Sequence, residues 1–414
     1  MILGVRHDDL RKRNRAMVIA AVRRDVQPSR TDLVSRTGLS HSTISAISSD
    51  LIAEGVLRQI KGPENEVVRR GRPQVSLGLN PQAATVMTVL LLLNTLSATI
   101  IDYSGEIVAQ REERLSTLTA SRDDLIGSVV AIVEGVLADA GHAAGDVMRL
   151  TMAVQGITDS DARSMLWTPI TPESHVPFAD ILEKRFGVPV TVQNDCNMIA
   201  VALRARDPDR YRDNFVTLLL SNGIGMGLVL RGELFTGAYS SGGEFGHMIH
   251  RPGGALCRCG RHGCIEAYAG NYAILREAEG CSDQTAADAD VDHQTMLQLA
   301  GEARAGNGAA RAAFTRAGEA IGYGLGSLFA LIDPAPVAIV GPGTLAFDVM
   351  EPSIRAAIAQ TAGGQHDAII SFDLEADEMP LILAGCARRA LEAVDNELFA
   401  PGYIAAMQDR AATA

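Results

Sequence analysis

EFGHMIHRPGGALCRCGRHGCIEAY, residues 244–268, is the stretch from which the rest of the chain is best read. Cys257, Cys259 and Cys264 fall within eight positions, His247 lies just upstream, and Gly253, Gly254, Gly260 and Gly263 surround them. Three thiols and an imidazole on a glycine-rich loop suit a tetrahedral Zn²⁺, because the chain must turn sharply to bring close ligands together. A chance cluster, or a disulfide with one thiol left over, leaves the flanking histidine and glycines without a role. A Cys₃His set is closed to water, so the expected metal is structural rather than catalytic.

Working outward, the composition describes an ordinary globular chain. Of 414 residues, 47% are apolar and 21% charged, enough for two or three domains with their own cores. The longest apolar run, residues 86–93, is far short of a membrane span and reads as a buried strand. Arg6, Asp8 and Asp9 replace the apolar core that an export signal would have. The expectation is therefore a cytoplasmic protein with reduced thiols, which again favours metal over disulfide. The net charge of −12 conceals an asymmetry: residues 1–75 hold 14 basic against 8 acidic side chains, and the remainder 23 against 41. Such a head is drawn to a phosphate backbone, while its body is repelled by one.

That head has a recognisable order. A helix over 11–25 turns Met17, Val18, Ala21 and Val22 to one side. Ser29 can cap a second helix over 30–36, Gly38 supplies a tight turn, and Ser40 can cap a third helix to about Glu54 that buries Ile44, Ile47, Leu51 and Ile52. This is the helix-turn-helix pattern, whose last helix enters the major groove by its N-terminal residues, here Ser40, His41, Ser42 and Thr43, with Ser45 following. A strand over 55–60 and its return at Val67-Val68 predict a wing. Beyond it, Arg70 and Arg72 in an extended Arg-Gly-Arg-Pro run fit a minor groove, or else simply form a solvated linker.

The body, from near Val75, alternates strands and helices. Residues 85–101 read as one strand, followed by a turn over 102–106, a helix around 123–140 and a strand over 149–154. PVTVQ, residues 189–193, runs into Asn194-Asp195, an amide and a carboxylate at a strand end, where α/β folds place working groups. A strand pair around Ser221–Met226 precedes the cysteine loop. Helices over 295–305 and 308–331, a strand over 337–340 and a last helix near 380–398 complete an α/β body with two sheets. Its halves have the look of related βββαβα units.

At this point the motifs resemble a known family. GGEFGHMIH…CRCGRHGCIEAYAG resembles the signature of the ROK family of sugar kinases, transcriptional repressors and related proteins; VQNDCN, SNGIGMGLVL and LIDPAPVAIVGPG resemble its other segments. An N-terminal winged helix ahead of the body resembles the repressor branch, which includes xylose and N-acetylglucosamine regulators. The resemblance implies a two-lobed actin- and hexokinase-like (ribonuclease H-like) body: residues 79–194 plus about 380–405 in one lobe, 195–379 in the other, and 1–78 as the DNA-binding domain. It places Asn194, Asp195, Glu244, His247 and Glu266 against a sugar, with His247 also ligating zinc, and implies homodimers or homotetramers. In the family's kinases Asp195 would deprotonate the attacking hydroxyl. Those kinases carry an Asp-x-Gly-Gly-Thr phosphate turn where this chain has Leu90–Asn94, so phosphoryl transfer should be lost. Gln155 also stands where the family has proline, so the sugar need not be glucose. The expectation is a non-enzymatic, sugar- or sugar-phosphate-responsive repressor binding double-stranded operator DNA. A sugar kinase, or a regulator run by a protein partner, is the alternative.

Overall fold

The computed structural model describes residues 7–25, 27–60, 75–285 and 290–402. It opens with α1 (His7–Arg24), α2 (Arg30–Thr37) and α3 (His41–Ala53). Ser29 and Asp32 cap α2 reciprocally, Gly38 ends it at φ 71°, and the Ser40 hydroxyl accepts from the Thr43 amide to start α3. These local signals were readable, and the helices fall where they point. The phase of α1 differs from the expectation: Val18, Ile19 and Val22 are buried, whereas Met17 is only half-buried. β1 (Leu57–Ile60) pairs antiparallel with β2 (Ser76–Leu79), beyond the basic run. The expected return strand at Val67-Val68, together with Arg70 and Arg72, lies outside the described residues.

β3 (Thr85–Leu92) and β4 (Thr95–Asp102) form a hairpin, correcting the single strand expected over 85–101. Both strands are buried throughout their middles, so only the polar pair Asn94-Thr95 interrupts the apolar pattern at the two-residue turn. Asn94 sits at φ 53°, a conformation asparagine tolerates better than most residues. β5 (Ile107–Arg114), α4 (Arg122–Ala140), β6 (Val147–Val154), a short hairpin of β7 (Ile157–Thr158) and β8 (Met165–Trp167), α5 (Phe178–Phe186) and β9 (Val190–Asn194) follow. The first sheet has the order β5-β4-β3-β6-β9, antiparallel across β5, β4 and β3 and parallel from β3 to β9.

α6 (Asp195–Arg206) leads to the second sheet through β10 (Phe215–Leu220), β11 (Ile224–Leu230) and β12 (Glu233–Leu234). After the cysteine loop come α7 (Glu266–Ala269), α8 (Asn271–Ala278), α9 (His293–Arg304), α10 (Gly308–Ile332), β13 (Val337–Val340), α11 (Phe347–Ala359), β14 (Phe372–Glu375) and α12 (Met379–Val394). The order β12-β11-β10-β13-β14 repeats the strand directions of the first sheet, so the two halves share one topology. Sequence reading passed over α8, α11 and β14; Pro352 inside α11 disguises it as a loop.

Each sheet has its own core, and α6 and α12 pack against each other between them. Their approach is close enough that a Cβ on Gly385 would stand 2.0 Å from the Met198 carbonyl oxygen, so only glycine fits there. The far end of α12 joins a different core. Leu391, Val394 and Phe399 pack with Val18, Ile19, Ile44 and Leu51 of the N-terminal helices and with Ile101 and Tyr103 of the first sheet. The head is thus built onto the body through the C-terminal helix.

Candidate functional site

β9 delivers Asn194 and Asp195 to the gap between the sheets. Asn194 caps α6 by accepting from the Asn197 amide at 2.9 Å and donates to the Gly156 carbonyl at 3.0 Å, so its side chain is held rigidly. Asp195 is 2% exposed and accepts from the Cys196 amide at 2.9 Å. Burial pushes its carboxyl up to about 7, with the nearby Glu244 carboxylate adding to the shift. Glu244 enters from a short turn, Phe245–His247, and burial raises its carboxyl as well.

Glu266 opens α7 and is 2% exposed. One oxygen accepts from the Ile224 amide at 3.1 Å; the other accepts from the Tyr272 hydroxyl and the Cys257 thiol, both at 3.4 Å. It therefore ties the glycine turn between β10 and β11 to the cysteine loop. Asn194, Asp195, Glu244, His247 and Glu266 all line one cavity. Two further walls are Gln155, which the sequence had marked only by its departure from the family's proline, and Trp167, which sequence reading missed. Gln155 accepts from the Leu93 amide at 3.2 Å, and Trp167 stands edge-on to His247 with ring centres 5.6 Å apart. Trp167 is the only tryptophan in the chain, which was the one signal available to single it out.

The four soft donors converge. One ligand atom from each of His247, Cys257, Cys259 and Cys264 lies within 4.8 Å of all the others. The Cys259 and Cys264 sulfurs are 3.8 Å apart, and the Cys257 sulfur lies 3.7 Å from His247 Nδ1. A disulfide is excluded by that separation, whereas the edge of a tetrahedron with Zn–S near 2.3 Å is roughly 3.8 Å. The donor set fits a zinc ion. Hydrogen bonds from Cys257 and Cys264 hold the Cys259 thiol well below its ordinary range, so a thiolate is already favoured. Gly263, at φ 85°, makes the loop possible: a Cβ there would fall 1.8 Å from the Arg251 carbonyl oxygen.

On the head, His41, Ser42 and Ser45 are exposed and Thr43 is half-buried. The exposed Ser40 hydroxyl lies 2.9 Å from that of Ser42 and 2.8 Å from that of Thr43, forming a small polar cluster at the start of α3. Its hydroxyls point away from the core built by Ile44, Ile47 and Leu51.

The xylose repressor of Caldicellulosiruptor bescii is 23% identical over 359 residues, covering 86% of this chain and 89% of that protein. A solved ROK family transcriptional regulator, homologous to E. coli Mlc, aligns with a TM-score of 0.74 at 22% identity, over 94% of this chain and 97% of its own. A ROK glucokinase from Streptomyces griseus, solved with glucose and AMPPNP, aligns with a TM-score of 0.59 at 24% identity, over 74% of this chain and 99% of its own. The pattern of the ROK family covers residues 94–376, more than half the chain, and the chain belongs to that family.

Proposed function

We propose that this chain is a sugar-responsive transcriptional repressor, with residues 1–78 reading DNA, the five-residue cleft binding a sugar, and no phosphoryl transfer. The observation that carries this reading is the course of α12. Its first residues, Met379 and Ile382, reach the cleft region, and its last turn is built into the head core. Sixteen residues span about 24 Å, so one rigid rod connects the gap between the lobes to the DNA-reading helices. The xylose repressor and the Mlc homologue support the same assignment by their names.

Within the cleft, Asn194, Glu244 and His247 present the donors and acceptors that order a ring of hydroxyls, and Trp167 offers an aromatic edge and face to the C–H side of a pyranose. Asp195, held near neutrality by burial, can accept or donate a hydrogen bond to one hydroxyl. Glu266, anchored on three sides, fixes the loop rather than turning over a proton. A zinc ion held by His247, Cys257, Cys259 and Cys264 would supply rigidity and no open coordination position. Lobe closure on the sugar would move α12 against α6 and tilt the head. In a homodimer or homotetramer such a tilt changes the distance between paired α3 helices, and with it operator affinity.

The kinase reading meets an obstacle at the β3–β4 turn. Leu92 and Leu93 occupy the place where a phosphate loop needs bare backbone, and the Leu93 amide already donates to Gln155. The test uses the lone Trp167 as reporter. A sugar panel added with Mg-ATP should include a member that changes Trp167 fluorescence while no ADP accumulates above the protein-free rate. Sugar-dependent ADP formation would make the chain a kinase instead.

A further inference from the structure

The cleft does not end at Asp195. A second chamber of about 490 Å³ adjoins it, and the two share Gln155, Asp195, Leu219 and Gly223 as a common wall. Its lining combines apolar Leu92, Leu93, Met379 and Ile382 with polar Thr95, Ser221, Asn222 and Asn271. Apolar side chains together with hydroxyls and amides match a second pyranose, which has an apolar C–H face and a polar edge.

Its charges oppose a phosphate. Among the described residues, the first chamber's lining contains no lysine and no arginine, and its acidic side chains are Glu244, Glu266 and Asp195, the last held near neutrality by burial. Among the described residues lining the second, the one guanidinium is Arg114, which is 3.0 Å from Asp290, and the imidazole of His293 stands with the acidic Glu112, Asp292 and Glu378. Helix N-termini could bind an anion without basic side chains, but three of those near the cleft already meet side-chain acceptors. Asp292 accepts from the Thr295 amide at 2.7 Å at the start of α9, Asn194 accepts from the Asn197 amide at 2.9 Å at the start of α6, and Asp377 accepts from the Met379 amide at 3.1 Å at the start of α12. Among the described lining residues, a phosphate group carrying about −1.5 to −2 charges would meet no lysine and no arginine free of a carboxylate partner.

We infer that the effector is an uncharged glycoside of at least two pyranose-sized units, its terminal unit beside Trp167 and its second unit over Leu92 and Leu93, and not a sugar phosphate. This rests on the sugar-cleft reading above and narrows it. Gln155 lies on the wall between the two units, within reach of the linkage.

The test is a Trp167 fluorescence and calorimetric titration of the full chain. Its panel holds glucose, xylose, galactose and N-acetylglucosamine, their α- and β-1,4-linked dimers, and their terminal phosphate esters. One dimer should bind about tenfold or more tightly than its own monomer, and the ester of that monomer should bind more weakly than the monomer. Glu112→Lys, an exposed change at the rim, should raise ester affinity without altering that of the monomer. Leu92→Phe, which narrows the second chamber without adding a tryptophan, should erase the advantage of the dimer and leave the monomer unchanged. Equal affinity of monomer and dimer, or tightest binding by an ester, overturns the inference while leaving a sugar sensor. No response to any member overturns the sugar-cleft reading itself, and the inference with it.

Discussion

At the scale of single residues, Asp195 is the most informative group. In an unfolded chain its carboxyl ionises near 3.9, whereas in the fold burial holds the proton up to about 7. Below pH ~4 both states are protonated and the group is neutral to stability. As pH rises toward 7 the unfolded chain releases its proton first, so stability falls through that window, by up to roughly 4 kcal/mol, and levels off above it. Asp195→Asn removes this dependence. Urea unfolding of the ligand-free protein at pH 4.5 and 7.5 should therefore show a smaller drop for the variant than for the natural chain, and parallel drops would refute the buried-proton account. Cleft residues were unevenly legible in the sequence. Asp195 followed a strand of alternating apolar residues and could be found. Gln155 and Trp167 reach the cleft only because β6 and the β7–β8 hairpin fold over it, a long-range placement no local pattern encodes.

At the scale of elements, two pieces carry separable predictions. The cysteine loop should hold one zinc per chain. Cys264→Ser should lower bound zinc, measured by elemental analysis, and abolish the Trp167 response to sugar, while the head retains non-specific DNA binding at low salt. The loop was the most readable element, since its spacing and glycines are local in sequence. The end of α12 was among the least readable. Asp395 there receives Arg23 through two nitrogens, at 2.9 and 3.1 Å, and the Tyr103 hydroxyl at 2.6 Å. The pair's side chains are 7% and 9% exposed. Partners 372 positions apart in sequence leave no local trace. Asp395→Ala strands a buried guanidinium and should destabilise the protein by about 3–5 kcal/mol in denaturant unfolding. A loss below ~1 kcal/mol would mean that the head is only loosely docked.

At the scale of the whole molecule, the kinship of the two halves could be anticipated from their alternation of strands and helices, and the helical head from its caps and its Gly38 turn. The hairpin at Leu93-Asn94 was not, because a short polar break at Asn94-Thr95 lies between two long apolar runs. What no sequence pattern revealed is the continuity of packing from the cleft along α12 to α1 and α3, which turns three regions into one mechanical unit. On that unit rests the claim that sugar binding alters DNA reading. Binding must then be reciprocal: operator DNA changes sugar affinity by the same factor as sugar changes operator affinity.

The most direct measurement is operator affinity of the full chain, by fluorescence anisotropy on DNA from its own promoter, with and without the sugar that perturbs Trp167. The account predicts a weakening of about tenfold or more, equivalent to ~1.4 kcal/mol of coupling, that disappears in Asp395→Ala. A sugar that saturates the cleft and leaves operator affinity unchanged would contradict it.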